Sequence, residues 1–137
     1  MEKLPPPAHP AAHVVFAHLA GKWSASILQI LAGAALRFSQ LRSRITGVSD
    51  KVLAQTLREL ERDGLVLRTS YPVVPPHVVY SLTPLGDACA EHVAGIFAWL
   101  TANENAFVRA QCHYDVATMQ PNGLAACDKP TDSDAAA

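Results

Sequence analysis

Long apolar runs, closely spaced cysteines and a strong charge of either sign are all missing from this sequence, and each absence removes a class of protein. No stretch of eighteen or more residues is apolar throughout, so no transmembrane helix is expected. The opening residues, MEKLPPPAHP, lack the apolar middle of a signal peptide. A cytoplasmic protein with no membrane partner is the expectation. The three cysteines, Cys89, Cys112 and Cys127, are an odd number without close pairing, which argues against a disulfide framework. Enzyme signatures are missing too. There is no glycine-rich phosphate loop, no Ser/His/Asp order and no pair of carboxylates in a plausible cleft, so neither catalysis nor a cofactor is expected.

A net charge of −1 over 137 residues would seem to disfavour nucleic acid. The distribution reverses that impression. Between Arg37 and Arg68 seven basic residues face four acidic ones, and the acidic excess lies in the rest of the chain. A small protein can meet phosphate with one positive face while its total charge stays near zero. Hydrophobic residues make up 50% of the chain, enough for one core and not for a membrane protein.

What is present is organised around SDKVLAQTLRELERDG, residues 49–64. Ser49 is a good N-cap and Asp50 places negative charge at the positive end of the helix dipole. Gly64 can take the left-handed conformation that ends a helix. Leu53, Leu57 and Leu60 fall on one face; at about 100° per residue Lys51, Gln55, Arg58 and Arg62 fall opposite. One side is built for burial, and the other carries cations and an amide. An ordinary surface helix has the same pattern, so the flanking sequence decides. Ser39 reads as the N-cap of a preceding helix to about Ile45, with Phe38, Leu41 and Ile45 on one stripe. Thr46–Gly47–Val48 is a short turn. Two short helices joined in this way form a helix-turn-helix, whose second helix enters the DNA major groove.

Upstream, residues 1–10 are proline-rich and read as a flexible arm. Helices are expected from Ala11 to Leu19 and from Trp23 to Leu31, with Trp23 as a core anchor. Downstream, residues 65–83 read as a β-hairpin. Leu65, Leu67 and Tyr71 alternate with Val66, Arg68 and Ser70; Val78, Tyr80 and Leu82 form the facing set, and Pro72 to Pro76 make the tip. Thr83–Pro84 restarts a helix that carries Leu85, Cys89, Val93, Ile96, Phe97 and Leu100 to about Thr101. A shorter helix follows from about Asn103 to Val116. Residues 117–137 read as a disordered tail. The fold class is therefore mainly α with a small β-hairpin wing (α+β): a winged helix-turn-helix over residues 11–116. A long apolar stripe beyond what so small a core needs suggests contact with a second copy.

GKW at 21–23, RFSQLRSRITGVSDKVLAQTLRELERDGLVLR at 37–68, VPP with VVYSLTPLG at 74–86, and AWL at 98–100 resemble the HxlR family of bacterial transcription regulators, relatives of the MarR-type winged helices. The resemblance covers roughly residues 9–101. It implies a dimeric DNA-binding protein whose N- and C-terminal helices form the dimer. Two departures stand out. Family members that sense by thiol chemistry have a Cys-Pro pair before the tryptophan; His9–Pro10 stands there, and an imidazole forms neither a sulfenic acid nor a disulfide. The basic residue often found after the wing's Pro-Pro is His77.

Candidate residues follow. Lys51 and Gln55 come first for base contacts, with Ser49 and Thr56 next. Ser39 is a phosphate candidate through its hydroxyl and helix N-terminus. Arg37, Arg42, Arg44 and Arg58 are candidates for the phosphate backbone, and His77 for the wing. Double-stranded DNA with an inverted-repeat operator is the expected partner, beside a second copy of the chain. Phe16, Trp23, Ile27 and Phe97 are candidates to line a pocket for a small apolar or aromatic effector. His9, His13, His18 and Cys112–His113 are zinc-type ligands by chemistry, but their spacing matches no ligand pattern and no metal is expected. A winged-helix module for protein–protein contact, with an incidental basic face, is the rival reading.

Overall fold

The computed structural model describes residues 10–119. The order of elements is α1 (Pro10–Leu19), α2 (Ser24–Leu31), β1 (Leu36–Arg37), α3 (Phe38–Arg44), α4 (Asp50–Arg62), β2 (Val66–Tyr71), β3 (His77–Leu82), α5 (Pro84–Ala102) and α6 (Glu104–Met119). The chain divides into two compact units, one through Ala94 and one from Gly95. Among the described residues no single helix is long and apolar enough to cross a membrane.

The core of the first unit is aliphatic. Ile27 and Leu28 of α2, Leu41 of α3, and Leu53 and Leu60 of α4 are each 0% exposed. Burying one such side chain contributes about 1.5–3 kcal/mol. The α4 stripe thus forms as its spacing predicts, and Ser49 Oγ accepts from the Val52 amide at 3.2 Å to start the helix. Its end is a Schellman motif. Gly64 takes φ 80°, its amide donates to the Glu61 carbonyl, and the Leu65 amide donates to the Leu60 carbonyl. Leu60 and Leu65, both buried, supply the apolar contact that accompanies this turn.

That turn also shifts the hairpin by one residue. Leu65 belongs to the helix stop, so the inward phase of β2 starts at Val66, which is 2% exposed, while Leu67 is 52% exposed. Val66 pairs with Leu82, Arg68 with Tyr80 and Ser70 with Val78. The expected alternation that grouped Leu65, Leu67 and Tyr71 is corrected accordingly. The extended Leu36–Arg37 stretch is a strand, β1, and pairs antiparallel with β3. The sheet order is β1-β3-β2, with the last strand in the centre.

Three contacts hold helices to this frame. His18 Nδ1 of α1 lies 2.6 Å from Asp63 Oδ2 at the end of α4, with side chains 21% and 6% exposed. Gln29 Nε2 donates to the Ala90 carbonyl of α5 at 3.0 Å. Thr83 Oγ1 donates to the Gly64 carbonyl at 2.6 Å and accepts from the Gly86 amide at 3.0 Å, the N-cap expected before Pro84. Gly86 sits so close to the start of β2 that an added Cβ would lie 2.0 Å from the Leu65 carbonyl oxygen.

In the second unit Trp99 meets Phe107 edge to face at 5.6 Å, and Asn103 Nδ2 donates to the Trp99 carbonyl at 2.8 Å. Ile96, Phe97, Trp99, Leu100, Val108 and Tyr114 are exposed there. Helix α6 continues to Met119, beyond the expected end at Val116, because Ala117, Thr118 and Met119 carry no helix breaker and the Thr118 hydroxyl bonds back to Tyr114. Pro10, placed with the arm, opens α1, a position its fixed φ suits. Cys112 is disulfide-bonded, against the expectation from the cysteine count. An odd count excludes complete pairing, not a single bond. Residues 1–9 and 120–137, with His9, Cys127 and most of the expected arm and tail, lie outside the described residues.

Candidate nucleic-acid interface

Helix α3 begins one residue before Ser39. Phe38 is its first residue and Arg37 its cap position, because Gln40 Oε1 accepts from the Arg37 amide at 2.9 Å and closes the turn. Ser39 is therefore an exposed first-turn residue and not the cap. Between α3 and α4, Arg42 holds the turn. Its Nε donates to the Val48 carbonyl at 3.2 Å and its guanidinium meets Asp50 at 2.7 Å. Arg42 is engaged within the protein although its side chain is 47% exposed, and Arg37, Arg44 and Arg58 are exposed too.

On α4 the outward face is Lys51, Gln55, Arg58 and Arg62, all exposed. Lys51 makes no hydrogen bond or ion pair among the described residues. Gln55 is oriented by its neighbours: its amide nitrogen donates to Glu59 at 3.2 Å and its oxygen accepts from Arg58 at 3.4 Å. Both contacts are exposed and weak, so a base edge can replace them at small cost. Two candidates have their hydroxyls engaged within the protein. Thr56 is 9% exposed and its hydroxyl donates to the Val52 carbonyl at 2.8 Å, because it falls beside Leu53 and Leu60 on the inward arc. The Ser49 hydroxyl is occupied as the helix cap. On the wing, His77 pairs with Tyr71 across the hairpin and stacks on its ring at 5.0 Å. Val74, at the tip, is 99% exposed.

A groove of about 640 Å³ runs along this face, between the α1–α2 turn and α4. Lys22, Trp23 and Ser24 form one wall and Lys51, Gln55 and Glu59 the other. Lys22 Nζ sits 4.8 Å from the centre of the Trp23 ring. Of the four effector-pocket candidates only Trp23 lines it. Ile27 is sealed in the core at 0% exposure and Phe16 is 70% exposed. Phe97, exposed at 44%, belongs to the second unit. Sequence reasoning missed Lys22 and Ser24. The GKW string was visible, but nothing in its spacing relates it to a helix so far along the chain.

Among the described residues no group of three or more His, Cys, Asp or Glu side chains could hold a metal ion. His18 is engaged with Asp63. Burial pushes the Cys89 thiol above its ordinary range, which disfavours the reactive thiolate.

Residues 18–107 match the HxlR-like helix-turn-helix family. An HTH-type transcriptional regulator, YtfH of Escherichia coli, is 51% identical over 89 residues, which span 65% of this chain and 71% of that one. The solved structure of a transcriptional regulator YtfH from Salmonella typhimurium superposes with a TM-score of 0.69 at 41% identity, over 81% of this chain and 98% of that one. The reduced form of the transcriptional regulator YodB from Bacillus subtilis superposes with a TM-score of 0.61 at 31% identity, over 69% and 92% of the two chains. The winged helix-turn-helix built by α3, α4 and the β2–β3 hairpin is thus shared with transcription regulators, and the chain belongs to the HxlR-like helix-turn-helix family of DNA-binding regulators.

Proposed function

We propose that this protein is a dimeric repressor that reads an inverted-repeat operator through the outward face of α4. The observation that carries the reading is Lys51, exposed, without an internal partner, and one turn before Gln55 at the start of the helix that follows the turn. A lysine there reaches guanine or phosphate, and a glutamine pairs with adenine. Arg37, Arg44 and Arg58 supply phosphate contacts, and His77 serves the wing. Ile96, Trp99, Leu100 and Val108, exposed in the second unit, support a second copy as the partner of that surface. Two-fold symmetry places the half-sites about one helical turn apart. Repression follows from occlusion, since a dimer over a promoter excludes polymerase.

The test is an anisotropy titration against DNA upstream of the protein's own gene, with random DNA as control, at two salt concentrations. Tight binding with preference over random DNA, lost in Lys51→Ala/Gln55→Ala, is the expected result. Equal and weak binding to both DNAs would show a non-specific basic face. No binding even at low salt would favour a protein-interaction module. Light scattering should give twice the 14.7 kDa chain mass.

A further inference from the structure

The first residue of α2, Ser24, is 2% exposed, lines the groove beside α4, and has no hydrogen-bond partner for its hydroxyl among the described residues. Its oxygen is open to the groove, so the hydroxyl is free to donate to an acceptor seated there. The oxygen sits toward Gly21, another lining residue, since a Cβ added there would lie 3.6 Å from Ser24 Oγ. The eight-residue helix it opens has no side-chain cap: Trp23 occupies the cap position and offers no oxygen, and no acid stands in the first turn. Its amides and the positive end of its dipole are left for an anion. Lys22 stands on the same wall and Lys51 on the other. The carboxylate on the rim, Glu59, already accepts from Gln55. A hydroxyl, an uncapped helix start and two ammonium groups together suit an oxyanion.

We propose that this groove seats a phosphate of the DNA backbone, with Ser24 and the start of α2 as its donors and Lys22 and Lys51 as its counter-charges. The inference rests on the DNA-binding reading of α4. The backbone is favoured over a free anion because Lys51 and Gln55 line the groove and also form the base-reading face. A duplex engaged by α4 brings its sugar-phosphate strand to this place.

The experiment uses the full chain and measures operator and random-DNA affinity from about 50 to about 200 mM salt for wild type, Lys22→Gln, Ser24→Ala and Lys51→Ala/Gln55→Ala. Lys22→Gln should weaken both DNAs by a similar factor and reduce the salt slope by about one, leaving the preference for operator intact. Ser24→Ala should weaken both by about threefold to tenfold. Lys51→Ala/Gln55→Ala should weaken both DNAs and reduce the slope as well, because Lys51 also faces the seat, and should in addition lose the preference. Lys22 is exposed, so its variant should melt like wild type, which separates a contact from a folding defect. Unchanged affinity and slope in Lys22→Gln, while wild type still prefers operator, would overturn the seat and leave the α4 reading standing. Loss of preference in wild type itself would overturn both. In a second arm, inorganic phosphate is titrated while tryptophan fluorescence is followed. Saturable binding that Lys22→Gln abolishes, combined with an unchanged salt slope, would assign the seat to a free anion and refute the backbone assignment.

Discussion

Replacing His18 with alanine should unsettle the recognition helix from its far end. The side chain of Asp63, at the C-terminal cap of α4, is 6% exposed and its carboxylate lies 2.6 Å from His18 Nδ1. A carboxylate at the negative end of a helix dipole is poorly placed, so the contact from α1 has to offset that cost. The imidazole donates only with its proton on Nδ1, which fixes the tautomer. Removing it leaves a nearly buried carboxylate unsatisfied. Hydrogen bonds to charged groups are worth about 1.5–3 kcal/mol, and breaking a fully buried pair costs about 3–5 kcal/mol. His18 remains 21% exposed, so water can enter after truncation; the expected loss is about 2–3 kcal/mol. For a domain of this size that lowers Tm by roughly 6–12 °C. Urea melts of wild type, His18→Ala, Asp63→Asn and the double variant close a thermodynamic cycle. A coupling energy of about 1–3 kcal/mol is expected. Additive single effects, or a His18→Ala loss below about 0.5 kcal/mol, would refute the clamp.

Further outcomes are expected. Gly86→Ala forces a Cβ against the Leu65 carbonyl at 2.0 Å, so backbone must move; thermal melts should show a loss of about 3 kcal/mol or a chain that does not fold. Ser49→Ala removes the cap at Val52 and should cost about 1 kcal/mol by chemical denaturation, while Ser49→Asp should restore most of it. Cys89, its thiol pushed up by burial, should react with a thiol reagent more slowly than the unfolded chain at neutral pH. Its rate should climb toward the unfolded value only above the ordinary thiol range, and a fast reaction at pH 7 would contradict the burial.

The recognition helix was legible because its signals are local. Ser49, Gly64 and the leucine spacing act within one or two turns, and each is found where the pattern puts it. The hairpin and its proline tip were legible for the same reason. Where reading failed, the deciding contact was a bond the pattern does not encode. Gln40 reaching back to the Arg37 amide moved the start of α3. Leu65 closing the Schellman turn moved the phase of β2. Thr56, on the margin between the two faces of α4, went inward because its hydroxyl could satisfy itself on Val52. The groove was invisible for a different reason: it joins the α1–α2 turn to α4, and no periodicity connects segments so far apart.

The sheet order implies an order of events in folding. The β2–β3 hairpin closes over a short tip, so its pairing is local and carries little loop-closure entropy. Strand β1 is only two residues long, and it adds to β3 with α3 and α4 intervening in sequence, so its loop-closure entropy falls late. Leu36 and Arg37 then act as a latch: docking them on Tyr80 and Val79 commits the segment before the helix-turn-helix to the wing behind it. A chain arrested before β3 is synthesised can form its helices but lacks this latch. During translation the DNA-reading geometry should therefore mature only after residue 82 has cleared the ribosome.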